Sequence, residues 1–207
     1  MSTGFFLTFE GADGSGKSTQ ARRLFEALKA EGRDVVLTRE PGGSTGAEEI
    51  RRLLVEGDPN RWSAETEILL FFAARRDHLE RTILPALKRG AIVISDRFSD
   101  STRVYQGAAR GELRALVDTM HKLMIGKEPD LTLVIDIDAE TGLKRGLARN
   151  SGEDRFEELG AGFQQKLRQG YRSLLTDSPE RCLGIDGKGN EDEVAARVRA
   201  ALKGRLP

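Results

Sequence analysis

The sequence of 207 residues lacks the features that are typical of secreted, membrane-spanning and nucleic-acid-wrapping proteins. Its one cysteine, Cys182, excludes an internal disulfide and indicates an intracellular protein. The 33 basic and 33 acidic residues give no net charge, whereas proteins that wrap nucleic acid usually carry a basic excess. No apolar run approaches the roughly 20 residues that cross a bilayer, and the first residues do not resemble a signal peptide. We therefore expect a cytoplasmic protein with neither nucleic-acid nor membrane partners.

What remains is typical of a folded domain. At about 150 residues per domain, the length predicts a single domain over residues 1–207. Short apolar, β-branched segments alternate with longer segments of helical periodicity. Nearly continuous apolar strands are typical of a parallel sheet that helices cover on both faces. The pattern therefore predicts a three-layer α/β/α fold with a five-stranded parallel sheet, its strands at 5–9, 34–38, 91–95, 131–137 and 182–185.

Two places in this pattern predict irregular backbone. A long helix from about Ala64 to Gly90 contains Pro85, which predicts a kink or an early end. A polar segment that contains a glycine separates two later helices, and a short lid is expected there, at about 150–157.

The first predicted strand leads into a loop that matches the pattern G-x-x-x-x-G-K-[ST] in full, with a predicted helix behind it. Its glycines let backbone N–H groups surround phosphate oxygens, and the helix dipole adds favourable charge. Lys17 would neutralise the β- and γ-phosphates, and the Ser18 hydroxyl would coordinate Mg²⁺. A nucleoside triphosphate is expected to bind here, through Gly11, Ala12, Asp13, Gly14, Ser15, Gly16, Lys17, Ser18 and Thr19.

Asp96 and Arg97 follow the third predicted strand, at the edge of a parallel sheet where ligands collect. A carboxylate there can hold Mg²⁺, directly or through water, and an arginine can clamp phosphate. The alternative is a structural ion pair at the strand end. Asp136 also ends a strand, but Asp96 is preferred as the metal ligand because of its neighbouring arginine.

Four more segments follow in a characteristic order, and together with the loop they resemble thymidylate kinases of the bacterial type. The resemblance extends from about Phe5 to about Tyr171. It implies a P-loop NTPase fold and transfer of the γ-phosphoryl group of ATP to dTMP, giving dTDP and ADP. It also implies a homodimer packed through helices, for which segments 47–56 and 64–89 are candidates. The four segments are T-R-E-P-G-G at 38–43, L-F-F-A-A-R at 70–75, D-R-F at 96–98 and Y-Q-G at 105–107.

The resemblance implies which residues read the acceptor base. Phe71 and Arg75 are spaced i, i+4 and so share one helix face. In the family these positions stack on thymine and contact its carbonyl. Thr102 occupies a position where the family places a polar side chain near thymine N3. The alternative is that Phe71 belongs to the core and Arg75 to the surface.

The same resemblance implies ligands for the phosphate and the sugar. Arg97 and Arg51 would bind the monophosphate, and Asp13 would contact the 3′-hydroxyl. Tyr105 would pack beneath the sugar and disfavour a 2′-hydroxyl. Arg39 either orients its loop, touches the phosphate or forms a structural ion pair. Further support for the substrate is expected from Pro41, Ser101 and Gln106.

Positive charge for the transferring group is expected from the lid. Some relatives carry a catalytic arginine in the phosphate loop, where this chain has Gly14. Segment 154–157, D-R-F-E, resembles the family's lid motif, so Arg155 would stabilise the transferring phosphoryl group together with Lys17 and Arg97. Arg145 and Arg149 would contact ATP. A solvated, charged helix end is the alternative for all three lid arginines.

Several readings stay open at this point. Another nucleoside or nucleoside monophosphate kinase of the same architecture, or a P-loop switch ATPase, would also need the phosphate loop. Arg103 departs from relatives and would either point to solvent or add charge to the phosphate site. His78 and His121 are isolated in the sequence, so packing or surface positions are expected for both.

Overall fold

The computed structural model describes residues 4–58, 61–109, 113–147 and 160–207. Within these ranges five parallel strands form one sheet in the order β2-β3-β1-β4-β5. The predicted number and direction of the strands are confirmed. The strands are β1 (Phe5–Glu10), β2 (Val35–Arg39), β3 (Ile92–Asp96), β4 (Leu131–Asp136) and β5 (Cys182–Asp186).

Helices connect the strands and cover the sheet. None of those in the described ranges is long and apolar enough to cross a membrane. The α-helices are α1 (Lys17–Ala30), α2 (Thr45–Val55), α3 (Ala64–His78), α4 (Leu84–Lys88), α5 (Ser99–Val104), α6 (Arg114–Met124), α7 (Ala139–Leu147), α8 (Gly160–Asp177) and α9 (Glu191–Leu202).

Alternate strand residues enter separate apolar cores because consecutive side chains of a strand point to opposite faces. Leu7 and Phe9 of β1 pack in one core with residues of α1 and α9. Phe6 of β1 and Val93 of β3 pack in another core with residues of α3 and α6. Both faces of the sheet are therefore buried, which explains the continuous apolar strands and confirms the three-layer fold.

The predicted interruption near Pro85 is confirmed. Helix α3 ends at His78, and a wider π-helical turn, Leu79–Ile83, leads into α4, which has Pro85 in its first turn. Proline has no N–H, and its ring clashes with the preceding turn of a regular helix. The wider turn accommodates the proline, and His78, the last residue of α3, is fully buried.

A buried ion-pair network holds α5 in place. Asp100 is fully buried, and it accepts hydrogen bonds from Arg103 Nη1 at 2.8 Å and from both Arg181 amino groups at 2.6 and 2.9 Å. Burial alone would raise the pKa of Asp100, but the two arginines hold it below its usual value. Arg103 also donates to Asp118 and Glu128. Arg103 is thus buried in this network, and both sequence-based alternatives for it are wrong.

Replacing Arg103 by methionine should lower the free energy of unfolding by about 3 kcal/mol, because Asp100 would keep only Arg181 of its two arginine partners. Urea denaturation measures this loss. The matched control is Arg89→Met, which removes an arginine from an exposed pair with Asp34 and should cost less than about 1 kcal/mol. Equal losses in the two variants would contradict the stabilising role of the network.

Candidate active site

The phosphate loop joins the carboxyl end of β1 to α1, which begins at Lys17. Gly11, Gly14 and Gly16 have φ angles of 142°, 75° and 91°, a region that side chains disfavour. A Cβ atom at Gly11 would lie 2.6 Å from the carbonyl oxygen of Ile135, so the loop needs glycine there. This backbone brings the loop to the amino end of α1, as the sequence predicted.

Asp13 is the centre of a charged cluster in this loop. Its Oδ2 accepts a hydrogen bond of 2.6 Å from the Tyr105 hydroxyl, and its Oδ1 pairs with Arg97 Nη2. The ammonium group of Lys17 lies 3.6 Å from the same Oδ1 atom. The structure therefore brings together four residues that the sequence analysis assigned to phosphate, sugar and catalysis.

Arg97 reaches this cluster from the end of β3. It has a φ of 73° and is the one non-glycine residue with a positive φ in the part of the chain that the structure describes. Such a conformation is costly for a side chain and persists only where surrounding contacts hold it. Its N–H donates to the carbonyl of Phe9, and its Nη1 donates to the Gly11 carbonyl and to the hydroxyls of Ser101 and Tyr171.

A buried carboxylate that the sequence analysis missed anchors the start of α5. Glu10 is fully buried and accepts hydrogen bonds from Phe98 N at 2.7 Å, Ser101 Oγ at 2.6 Å and the Tyr171 hydroxyl at 3.3 Å. Burial, with the charge of Asp100 as a second cause, raises the pKa of Glu10 to about 7. The only sequence signal was an acid at the end of an otherwise apolar strand.

A chamber of about 130 Å³ lies beside this cluster. It contains all the predicted acceptor residues except Arg39 and Arg75, and it adds Glu40 and Val55, which were not predicted. The predicted residues in its lining are Asp13, Pro41, Arg51, Phe71, Arg97, Ser101, Thr102, Tyr105 and Gln106.

Arg75 lies directly behind this lining, with 2% of its surface exposed. Its Nε donates to Glu40 Oε2 at 2.7 Å, and its Nη2 donates to Thr102 Oγ1 at 3.0 Å and to the Phe98 carbonyl at 3.2 Å. Its Nη1 is buried and has no hydrogen-bond partner among the described residues. A buried donor without a partner costs free energy, so this group is a candidate donor to a bound ligand.

Arg39 lies outside the chamber and pairs with Glu48 at 3.0 Å. It lines a larger cleft of about 670 Å³, which also contains Lys17, Ser18 and Asp96. The structural ion pair that the sequence left open for Arg39 is therefore present, at the rim of the cleft.

The donor set in this cleft fits a magnesium ion. Asp96 Oδ1 is buried and has no hydrogen-bond partner among the described residues, while Ser18 lines the same cleft. Asp136, the rejected alternative, is paired with Arg168 at 2.7 Å and with Arg172 at 3.1 Å. No group of three or more His, Cys, Asp or Glu side chains within the described ranges could hold a metal ion. A site of this kind suits Mg²⁺, which usually keeps water and phosphate ligands beside one or two protein ligands.

A third cavity, of about 440 Å³, lies along the other side of the phosphate loop. Its lining includes Arg145 of α7, the residue for which the sequence predicted an ATP contact. The connection from β5 to α9 and the first turn of α9 also line it, and these residues were missed because a turn after a weak strand gave no specific signal. Arg149, Arg155 and the predicted lid at 150–157 lie outside the described residues. The missed residues are Gly187, Gly189, Asn190, Glu191 and Val194.

Comparison with known proteins shows the family of the chain. Residues 9–198 match the model of a family described as thymidylate kinase. The chain belongs to the thymidylate kinase family. A thymidylate kinase of Dinoroseobacter shibae is 68% identical over 199 residues, which cover 96% of each chain. One of Ruegeria pomeroyi is 66% identical, over 95% of this chain and 93% of the relative.

The fold of a solved thymidylate kinase is also similar. The crystal structure of the enzyme from Ehrlichia chaffeensis has a TM-score of 0.80 and 35% identity, over 97% of this chain and 99% of the other. The predicted family is thus confirmed, and so is the predicted activity of an ATP-dependent kinase that converts dTMP to dTDP. The switch ATPase and the kinases of other acceptors are set aside.

In this thymidylate kinase the raised pKa of Glu10 should appear in the pH dependence of stability. The folded protein holds the Glu10 proton more tightly than the unfolded chain, so this contribution is complete below about pH 4.5 and is lost as the pH rises through about 7. Glu10→Gln cannot titrate. The free energy of unfolding of the natural protein should therefore fall relative to the variant by about 3 kcal/mol over this range. Urea denaturation at several pH values measures the difference, and a constant difference would contradict the shift.

Proposed function

We propose that this thymidylate kinase is magnesium-dependent, with ATP along the cavity beside the phosphate loop and dTMP in the chamber behind Asp13. The observation that carries the proposal is how the three cavities share residues. The large cleft shares Asp13, Arg51 and Arg97 with the chamber, and it shares Lys17 and Ser18 with the cavity that Arg145 lines. A donor phosphate and an acceptor phosphate would therefore meet in the cleft.

The chamber suits a pyrimidine deoxynucleotide. Phe71 would stack on the base, and the unpartnered Nη1 of Arg75 would donate to a thymine carbonyl, with Thr102 beside it. Cytosine carries an amino group in place of one thymine carbonyl, so such a donor would favour dTMP over dCMP. Tyr105 is fixed by its hydrogen bond to Asp13, which supports its role beneath the sugar and the role of Asp13 at the 3′-hydroxyl.

The acceptor phosphate would bind Arg97 and Arg51, both at the boundary of chamber and cleft. A phosphate dianion is already a nucleophile and needs no general base, so positioning and charge neutralisation carry the catalysis. Lys17 and Arg97 would stabilise the charge on the transferring phosphoryl group, with Arg155 from the lid. Ser18 and Asp96 would hold Mg²⁺, which would neutralise charge on the β- and γ-phosphates of ATP.

The metal assignment predicts a specific defect in Asp96→Asn, which keeps the shape of the side chain and removes its charge. The magnesium concentration for half-maximal activity should rise at least about tenfold. The measurement is a coupled ADP-release assay with ATP and dTMP at increasing Mg²⁺. Asp136→Asn is the matched control, since it changes the other aspartate at a strand end and should leave the magnesium dependence unchanged. The same shift in both variants, or in neither, would refute the assignment.

We also propose a homodimer that forms through α3 and α6. These two helices pack on each other and expose large apolar side chains, and Leu123 is 72% exposed. Large apolar side chains exposed on two neighbouring helices are typical of a protein–protein interface. The other exposed apolar residues of the two helices are Leu69, Leu116 and Met124.

A cytoplasmic location is proposed as well, because the one cysteine, Cys182, permits no internal disulfide of the kind that is common in secreted proteins.

The dimer is tested by Leu123→Glu, which would bury a charge in the interface. Sedimentation should show the natural protein as a dimer and this variant as a monomer at the same concentration. Leu84→Glu is the control, because Leu84 is also exposed but lies on α4, and this variant should stay dimeric. A monomeric natural protein would end the proposal.

A further inference from the structure

A chain of buried hydrogen bonds continues behind Arg75. Glu40 accepts from Arg75 through Oε2, and its other oxygen, Oε1, lies 3.0 Å from Nδ1 of His78. The second ring nitrogen of His78, Nε2, lies 2.7 Å from the hydroxyl oxygen of Thr38. His78 has no exposed surface, and Glu40 has 5%. The sequence analysis expected a packing or surface position for His78, and its place in a buried polar chain was not predicted.

The chemistry of the groups fixes the direction of the bond between His78 and Glu40. The Glu40 carboxylate, paired with a guanidinium, can only accept, so His78 carries a proton on Nδ1 and donates it. The other ring nitrogen, Nε2, shares a hydrogen bond with the Thr38 hydroxyl, which can donate or accept.

Glu40, the last acceptor in this series of hydrogen bonds, determines the orientation of the Arg75 guanidinium. The Arg75 Cζ lies 5.4 Å from the ring centre of Phe72 and 5.2 Å from that of Phe98. Its Nε is held by Glu40 and its Nη2 by Thr102. These contacts leave Nη1 as the amino group without a partner in the described structure. A turned or displaced Glu40 would release Nε and change where Nη1 points.

The T-R-E-P-G-G segment, residues 38–43, packs around the imidazole ring of His78. Thr38 and Glu40 bind its two nitrogens, and Gly43, with a φ of 88°, packs against it so closely that a Cβ atom would overlap the ring. The Gly43 carbonyl accepts a hydrogen bond of 2.7 Å from Thr82. Three residues of one short segment therefore contact one histidine, which lies 35 or more positions later in the chain.

We propose that His78 is a positioning residue for recognition of the acceptor base. Its Nδ1–H orients Glu40, Glu40 orients the Arg75 guanidinium, and Arg75 Nη1 reads the thymine carbonyl that cytosine lacks. The inference rests on the proposed role of Arg75 as the base ligand. His78, which lies outside the chamber, would thereby contribute to the preference for dTMP over dCMP.

Two substitutions of His78 each keep one of its two hydrogen bonds, to Glu40 or to Thr38, and remove the other. In His78→Asn the amide nitrogen can take the position of Nδ1 and keep the donor to Glu40. In His78→Gln the longer amide reaches the position of Nε2 and keeps the contact with Thr38 but loses the donor to Glu40. The readout is the ratio of kcat/KM for dTMP to kcat/KM for dCMP, together with the KM for ATP. A general loss of packing would change activity with both acceptors and would not change their ratio.

We expect His78→Gln to lower the dTMP-to-dCMP ratio about tenfold, the size typical of a lost hydrogen bond to a charged group, with the KM for ATP within about twofold. His78→Asn should retain most of the ratio. His121→Gln is the matched control, since it changes the only other histidine, also buried, which lies beside Glu128 and not beside Glu40. Each variant is assayed below its measured melting temperature.

Arg75→Lys distinguishes failure of the inference from failure of the base assignment. If Arg75→Lys keeps the natural ratio, Arg75 does not read the base and the inference falls with that assignment. If Arg75→Lys lowers the ratio and His78→Gln does not, only the inference for His78 is overturned. It is also overturned if His78→Asn loses as much of the ratio as His78→Gln, or if His121→Gln lowers the ratio equally.

Discussion

The contact between Asp13 and Arg97 joins the two halves of the active site. Asp13 belongs to the phosphate loop after β1, and Arg97 follows β3. The two strands are parallel neighbours with Phe9 opposite Asp96, so the residues just beyond their ends must meet. An ion pair across this edge places the phosphate loop next to Arg97, the arginine that we propose for the acceptor phosphate. The positive φ of Arg97 is the backbone cost of reaching it.

Two buried carboxylates near this contact, Glu10 of β1 and Asp100 of α5, hold α5 in place. Glu10 accepts from the amide of Phe98 and from Ser101, while Asp100 is held by Arg103 and Arg181. Both carboxylates lie within the protein, where an unpaired charge is expensive. Glu10 holds the short helix from the side of the sheet, and Arg103 links it to Asp118 of α6. Ser101 and Thr102 thereby reach the chamber from a rigid support.

The sequence predicted the parts of the site that carry a local signal. The glycines and Lys17 of the phosphate loop lie within a few residues of one another, and Asp96 precedes Arg97 at a predicted strand end. The strands were predicted because both faces of the sheet are buried. Glu10, Glu40 and His78 were missed because their partners lie far away in the chain: Glu10 binds a helix 88 to 91 positions later, and His78 binds Glu40 38 positions earlier.

Two unsatisfied atoms of the candidate site differ from the buried carboxylates that hold the fold. Glu10 and Asp100 have their oxygens engaged by protein groups, whereas Arg75 Nη1 and Asp96 Oδ1 are buried without a hydrogen-bond partner in the described structure. Each such atom typically lowers stability by about 1–3 kcal/mol. A base carbonyl and a hydrated magnesium ion, as proposed above, would be complements for these two atoms. The free energy that the fold forgoes at Arg75 and Asp96 would then be available to substrate and metal on binding.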